Sequence, residues 1–153
     1  MSLAEDIKQK KFESEYQKAL INLLYTYNHV VSKMNIFFKS HGITRQQYNV
    51  LRILRGQHPK PASINLIKER MLDKMSDASR IVKRLLDKDL IVRKVSFDDR
   101  RSVEITISQN GLKLLEDTDN EVKNFINLTN NLSDTEAKQL NVLLDKLREQ
   151  KNA

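Results

Sequence analysis

Apolar positions recur at helical spacing over most of this chain. The first stripe is Tyr16, Leu20, Leu23, Tyr27, Val30, Met34 and Phe37, each three or four residues from the next, and Leu24, Val31 and Phe38 widen it. That spacing predicts one helix over about residues 5–39. At 1.5 Å per residue such a helix would be about 50 Å long. A compact chain of 153 residues has a diameter of only about 40 Å. An apolar stripe on the overhang needs a partner, most simply a second copy of the chain; the alternative is a bent helix wrapped on its own core. Gly42 ends this element.

The next signals are local. Thr44 and Gln47 form a capping-box pair, and Ile43 and Tyr48 a hydrophobic staple, at the start of a helix carrying Val50, Leu51 and Leu54. Gly56 is the expected stop. After the stiff Pro59-Lys60-Pro61 loop, Ser63 caps a short helix with Ile64, Ile67 and Met71 on one side. A break at Leu72-Asp73-Lys74 precedes a helix over about Met75 to Lys88, with Ala78, Ile81, Val82 and Leu85 inward. Two short helices joined by so few residues make a helix-turn-helix. Ile91–Phe97 is β-prone, Asp98-Asp99-Arg100-Arg101 is a turn, and Val103, Ile105 and Ile107 alternate with polar neighbours. A helix-turn-helix followed by a β-hairpin is a winged helix. A further helix opens at Ser108-Gln109-Asn110-Gly111, with Leu112, Leu115, Val122, Phe125 and Ile126 as buried positions. Ser133 and Glu136 form a second capping box, before a stripe of Leu140, Leu143, Leu144 and Leu147.

Charge sharpens this picture. Residues 39–101 hold 16 Lys and Arg against 7 Asp and Glu, whereas residues 102–153 hold 6 against 9. A basic segment centred on the helix-turn-helix is the footprint of a polyanion binder. Composition excludes other chemistry. With no Cys in the chain, disulfides, thiolate catalysis and cysteine metal sites are ruled out. His29, His41 and His58 are scattered, and Gly42, Gly56 and Gly111 form no phosphate loop. No enzyme, no metal and no cofactor is expected. No apolar run approaches the roughly 18 residues of a membrane span, and no secretory signal is visible. A reduced, cytoplasmic compartment is therefore the expectation.

At this point the sequence resembles the MarR family of bacterial winged-helix transcription regulators. The match rests on Ala78-Ser79-Arg80-Ile81-Val82-Lys83-Arg84-Leu85, on Asp99-Arg100-Arg101, and on Ile107-Ser108-Gln109-Asn110-Gly111, in the family's order and at its separations. The chain departs from the family's pattern at Lys74, where a Ser or Asp cap is usual and Asp73 stands one residue earlier. It departs again at Asp89, which replaces a helix-ending Gly.

The expected fold is mainly α with a small β-hairpin: a winged helix-turn-helix domain at 44–107, flanked by dimerisation helices at 1–43 and 108–153. Ser76, Asp77, Ser79, Arg80 and Lys83 are the outward residues of the recognition helix, with chemistries that read base edges. Arg84, beside the buried row, is expected to be structural and paired with Asp87 or Asp99. Arg100 and Arg101 sit at the wing tip, where a guanidinium can enter a narrow minor groove; the resemblance favours Arg100 as the inserted residue. Lys60, Arg45 and Arg52 are candidate phosphate contacts. The resemblance implies a homodimeric repressor that leaves double-stranded DNA when a small aromatic or phenolic effector binds. Tyr27, Phe37, Phe38 and Tyr48 are the candidate lining residues. The competing reading is a helical protein–protein interaction module that keeps the scaffold without reading DNA.

Overall fold

A computed structural model of the chain describes residues 2–95, 103–126 and 131–149. The hairpin tip, with Arg100 and Arg101, and the side chains of Phe125 and Ile126 lie outside the described residues. Among the described residues seven helices and two strands follow in order: α1 (Leu3–Asp6), α2 (Glu15–Ser40), α3 (Arg45–Gln57), α4 (Ile64–Arg70), α5 (Ala78–Leu86), β1 (Ile91–Val95), β2 (Val103–Ile107), α6 (Gln109–Ile126) and α7 (Asp134–Arg148). The chain divides into two compact units, residues 1–112 and 113–153.

The long first helix is shorter than its stripe predicts. Lys8 takes a left-handed φ of 55°, which no α-helix passes through. Ser14 then caps α2, its Oγ accepting from Gln17 N at 3.2 Å. At 26 residues α2 is about 39 Å long, so the overhang inferred from a 50 Å helix does not hold. What survives is the stripe itself. Tyr16 is 90% exposed, and Leu20, Leu24 and Tyr27 are each more than half exposed.

The first unit's core is built around α3. Thr44 and Gln47 form the expected capping box, with Thr44 Oγ1 accepting from Gln47 N at 3.1 Å and Gln47 Oε1 accepting from Thr44 N at 2.9 Å. Val50, Leu51 and Leu54 are buried, and α3 packs against α2, α4, α5 and β2. Gly56 does not stop the helix; it continues to Gln57, and His58-Pro59 ends it. A proline just past the end explains this, because its ring and missing N–H bar another turn. Ser63 caps α4 as expected. The recognition helix starts later than expected, at Ala78 rather than Met75.

β1 and β2 pair antiparallel from Ile91 opposite Ile107 to Val95 opposite Val103. The hairpin is tied to the loop before α4, since Ala62 and Ile105 exchange two backbone hydrogen bonds of 2.8 and 2.9 Å. Ile91, Ile105 and Ile107 are buried. Asp89 has a φ of 54°, so the residue replacing the usual glycine does adopt the left-handed conformation. Its carbonyl accepts from Ser108 Oγ at 2.7 Å, and that hydroxyl in turn accepts from Gly111 N at 3.0 Å.

In the second unit Leu115 and Thr118 are fully buried. The Thr118 hydroxyl is bonded back to the carbonyls of Leu114 and Leu115. Ser133 and Glu136 form the expected capping box at α7. Leu140, Leu143 and Leu147 remain 44%, 62% and 64% exposed.

Gly111 shows how tight the exit from the recognition helix is. A Cβ there would lie 2.2 Å from the Leu90 carbonyl oxygen and 2.8 Å from Ile107 Cγ1. Gly111→Ala should therefore cost about 2–3 kcal/mol by overpacking. Asp89→Gly should stabilise by up to about 1 kcal/mol by relieving the left-handed backbone. Urea-unfolding midpoints of the two variants should move in opposite directions.

Candidate nucleic-acid interface

The helix-turn-helix consists of α4, a connection through Met71–Asp77, and α5. The connection is longer than the three-residue break expected, and side chains hold it in place. Asp73 organises it: Oδ1 accepts from Met75 N at 3.1 Å and Oδ2 from the Ser76 hydroxyl at 2.7 Å. From α3, Asn49 Oδ1 accepts from Leu72 N at 3.0 Å. Lys74 Nζ donates to the Glu69 carbonyl. Asp77 is the N-cap of α5, its carboxylate accepting from Arg80 N at 3.1 Å. A carboxylate at that end also suits the positive pole of the helix.

These bonds sort the five outward residues named from sequence. Ser76 and Asp77 are engaged in the turn and the cap. Ser79, Arg80 and Lys83 are exposed on α5, where their side chains meet no described partner beyond solvent. Below them Ala78, Val82 and Leu85 are buried and anchor the helix on the core. Arg84 is exposed rather than set against the buried row; with Asp87 and Lys88 it lines a shallow cleft toward the end of the helix. Lys60 is exposed in the loop between α3 and α4. Arg100 and Arg101 fall outside the described residues.

Asp73 is held below its ordinary carboxylate range, chiefly by the Ser76 hydroxyl, then by the Met75 N–H, with Gln46 and the charge of Arg45 adding to them. Sequence reasoning saw Asp73 as a helix cap and missed its role as the centre of the turn. Asn49 was missed entirely. The signal available was its position four residues beyond Arg45 and three beyond Gln46, a spacing that puts all three on one face of α3.

Beside this turn lies a cavity of about 390 Å³ between α2 and α3. Tyr27, Met34, Tyr48, Arg45 and Arg52 line it, and Leu72 and Asp73 of the turn form one wall. Arg52 Nη1 donates to the Tyr48 hydroxyl at 3.2 Å, with its guanidinium 6.0 Å from the Tyr48 ring centre. Arg45 Nε is buried without a hydrogen-bond partner. Arg45 and Arg52, named from sequence as phosphate contacts, thus belong to this cavity. Of the four candidate effector residues, Tyr27 and Tyr48 line it. Phe37 and Phe38 do not. Phe38 is 1% exposed and stacks on Tyr48 at 4.4 Å, with Phe37 edge-on to it at 5.0 Å. The end of α2 turns these two rings into the core.

Two short helices, a fixed turn between them and an antiparallel hairpin behind the second define a winged helix-turn-helix, a DNA-binding class. The sequence profile of the MarR family matches residues 41–102. The crystal structure of the MarR transcription factor from Planctomyces limnophilus is similar with a TM-score of 0.68 at 30% identity, covering 88% of this chain and 98% of that one. The HTH-type transcriptional regulator MhqR of Bacillus subtilis (strain 168) is 29% identical over 100 residues, 65% of this chain and 68% of the relative. The organohalide-sensing regulator RdhR-CbdbA1625 in its 2,4-dichlorophenol-bound form shares the fold, with a TM-score of 0.79 at 16% identity over 92% of this chain and 85% of that one. The chain belongs to the MarR family of DNA-binding transcription regulators. These relatives are regulators, not enzymes. Among the described residues no helix is long and apolar enough to cross a membrane.

The Asp73 turn makes a prediction about acid. Its folded pKa lies below the free value of 3.8, so its stabilising effect is complete above that value and is lost as the pH falls through the lower folded one. Between about pH 5 and pH 2, wild type should lose more stability than Asp73→Ala. Urea midpoints across that range measure the difference, and parallel pH curves would show that the turn does not depend on the carboxylate.

Proposed function

We propose that the chain is a homodimeric, ligand-responsive repressor that binds an inverted-repeat operator in double-stranded DNA. The observation that carries this reading is the start of α5. Ser79, Arg80 and Lys83 stand exposed on a helix whose entry is fixed by Asp73 and Asp77, within the basic middle of the chain. In this reading α5 enters the major groove and Arg80 and Ser79 meet base edges. Lys83 and Lys60 hold phosphates, and Arg100, supported by Arg101, enters the adjacent minor groove. Residues 44–107 form the DNA-binding module, and 1–43 and 108–153 the dimerisation elements.

The exposed stripes of α2 and α7 support the dimer. Each is an apolar face that a second copy would cover. The cavity supports an effector. Two tyrosine rings, a thioether and two guanidinium groups fit a flat aromatic molecule with an anionic or phenolic oxygen. A phenol occupies the similarly folded RdhR protein. Catalysis has no place in this reading, and a cytoplasmic site of action follows from it.

Fluorescence anisotropy with a mixed-sequence duplex at low and high salt tests the reading directly. Binding should weaken steeply with salt, because neutralised phosphates release counterions. A helical interaction module that does not read DNA would show no such binding. On the preferred site Arg80→Ala should cost about 1–3 kcal/mol, and less on random DNA. Arg100→Ala should lower the salt slope by about one unit while leaving the fold intact. Sedimentation equilibrium at micromolar concentration should return a dimer. A monomer would remove both the dimer and the inverted repeat.

A further inference from the structure

Met75 is 94% exposed, more than any other large apolar side chain among the described residues. It does not sit on a loosely held loop. Its N–H is bonded to Asp73 Oδ1 at 3.1 Å, Ser76 beside it is locked to the same carboxylate, and Asp77 caps α5 two residues on. An apolar side chain is thus held out into solvent at the mouth of the recognition helix. Its surroundings are mostly polar: the groove it borders between α4 and α5 is also lined by Asn65, Lys68, Lys74, Asp77 and Ser79, with Ile64 as its other large apolar residue. Cations around an apolar centre are poorly suited to an apolar protein partner, because covering Met75 would strip water from the lysines without pairing them. They suit a polyanion that carries an apolar group. Double-stranded DNA offers one such group in its major groove, the 5-methyl of thymine.

We propose that Met75 is a specificity-determining residue that contacts a thymine methyl in each half-site, next to the base edges met by Ser79 and Arg80. This rests on the DNA-binding reading above. A thioether is well matched to the task, being flexible, polarizable and without a hydrogen-bonding demand of its own. The contact also explains why the turn is built so firmly. A single methyl group gives little discrimination unless the side chain that meets it is delivered to one place.

Thymine and deoxyuridine differ only by that methyl, which makes the test direct. An operator is first selected from random duplex with the full-length protein. Each thymine is then replaced in turn by deoxyuridine, and affinity is measured by fluorescence anisotropy for wild type, Met75→Ala and Met75→Leu. Wild type should lose about three- to fourfold at one thymine per half-site, the equivalent of one buried methyl group. Met75→Ala should bind the unmodified operator more weakly by a similar factor and show no further loss with deoxyuridine at that position. Met75→Leu should keep the discrimination. All three should bind mixed-sequence duplex with the same affinity and salt slope, which also shows that the variants are folded. The proposal is overturned if no thymine is sensitive in wild type, or if Met75→Ala keeps the wild-type ratio between thymine and deoxyuridine. A chain that binds no duplex in a salt-dependent way would overturn the DNA reading itself, and would do so before any thymine is replaced.

Discussion

The positions of α5 and of the turn that feeds it depend on the packing of one helix, α3. Val50, Leu51 and Leu54 are buried on it, and it meets α2, α4, α5 and β2. Its first turn carries polar residues on the side that faces the connection between α4 and α5. Asn49 holds the Leu72 N–H, while Gln46 and Arg45 act on the Asp73 carboxylate. The helix therefore does two things at once. Its apolar face fixes the recognition helix through the core, and its polar face fixes the turn that feeds that helix. Arg80 and Met75 are placed by both faces together.

The same polar face is a wall of the cavity. Arg45, Asn49, Leu72 and Asp73 all line it, so a molecule placed there would touch the bonds that hold the turn. An anion that drew the Arg45 guanidinium toward itself would take from Asp73 a charge that favours its ionised form. A bulky ring would press on Leu72 and strain the hydrogen bond to Asn49. Either change acts on the start of α5 without contact with DNA. Such coupling requires only that a ligand and the operator favour different positions of one element, and in the proposed reading the turn would be that element. An effector acting in this way would move the α5 side chains Ser79, Arg80 and Lys83 together, and would leave Lys60, in the loop between α3 and α4, where it is.

How much of this was legible in the sequence depended on the range of the interactions. The capping boxes at Thr44–Gln47 and Ser133–Glu136 were readable because each is made within four residues. The β2 alternation was readable for the same reason, and Asp89 in the left-handed region followed from the glycine it replaces. The start of α5 was misplaced by three residues because Asp73 and Asp77 are both good caps. The choice between them is made by Asn49, 23 residues before Leu72, and by the Ser76 hydroxyl. The early start given to α2 reflects good helix formers between residues 5 and 13. Ser14 and Gln17 carried the contrary signal. Phe37 and Phe38 continue the α2 stripe by spacing, but only the packing of α2 on α3 shows that they belong to the core while Tyr27 and Tyr48 line the cavity.

A basic surface and a fixed reading head answer different physical demands, and the chain meets them with different residues. Phosphate attraction is strong, long-ranged and blind to sequence; in the proposed reading exposed lysines on flexible stems supply it without being held still. Discrimination between bases is short-ranged, so it needs side chains whose backbone is immobilised. Two carboxylates before the start of the recognition helix are used for that immobilisation. Asp73 and Asp77 place negative charge where DNA is expected, which by itself opposes binding. Their oxygens, however, are engaged by Met75, Ser76 and the first turn of α5. A turn held instead by neutral side chains would attract DNA more strongly. It would also hold Met75 and the start of α5 less firmly, weakening the short-range discrimination on which a specific operator depends.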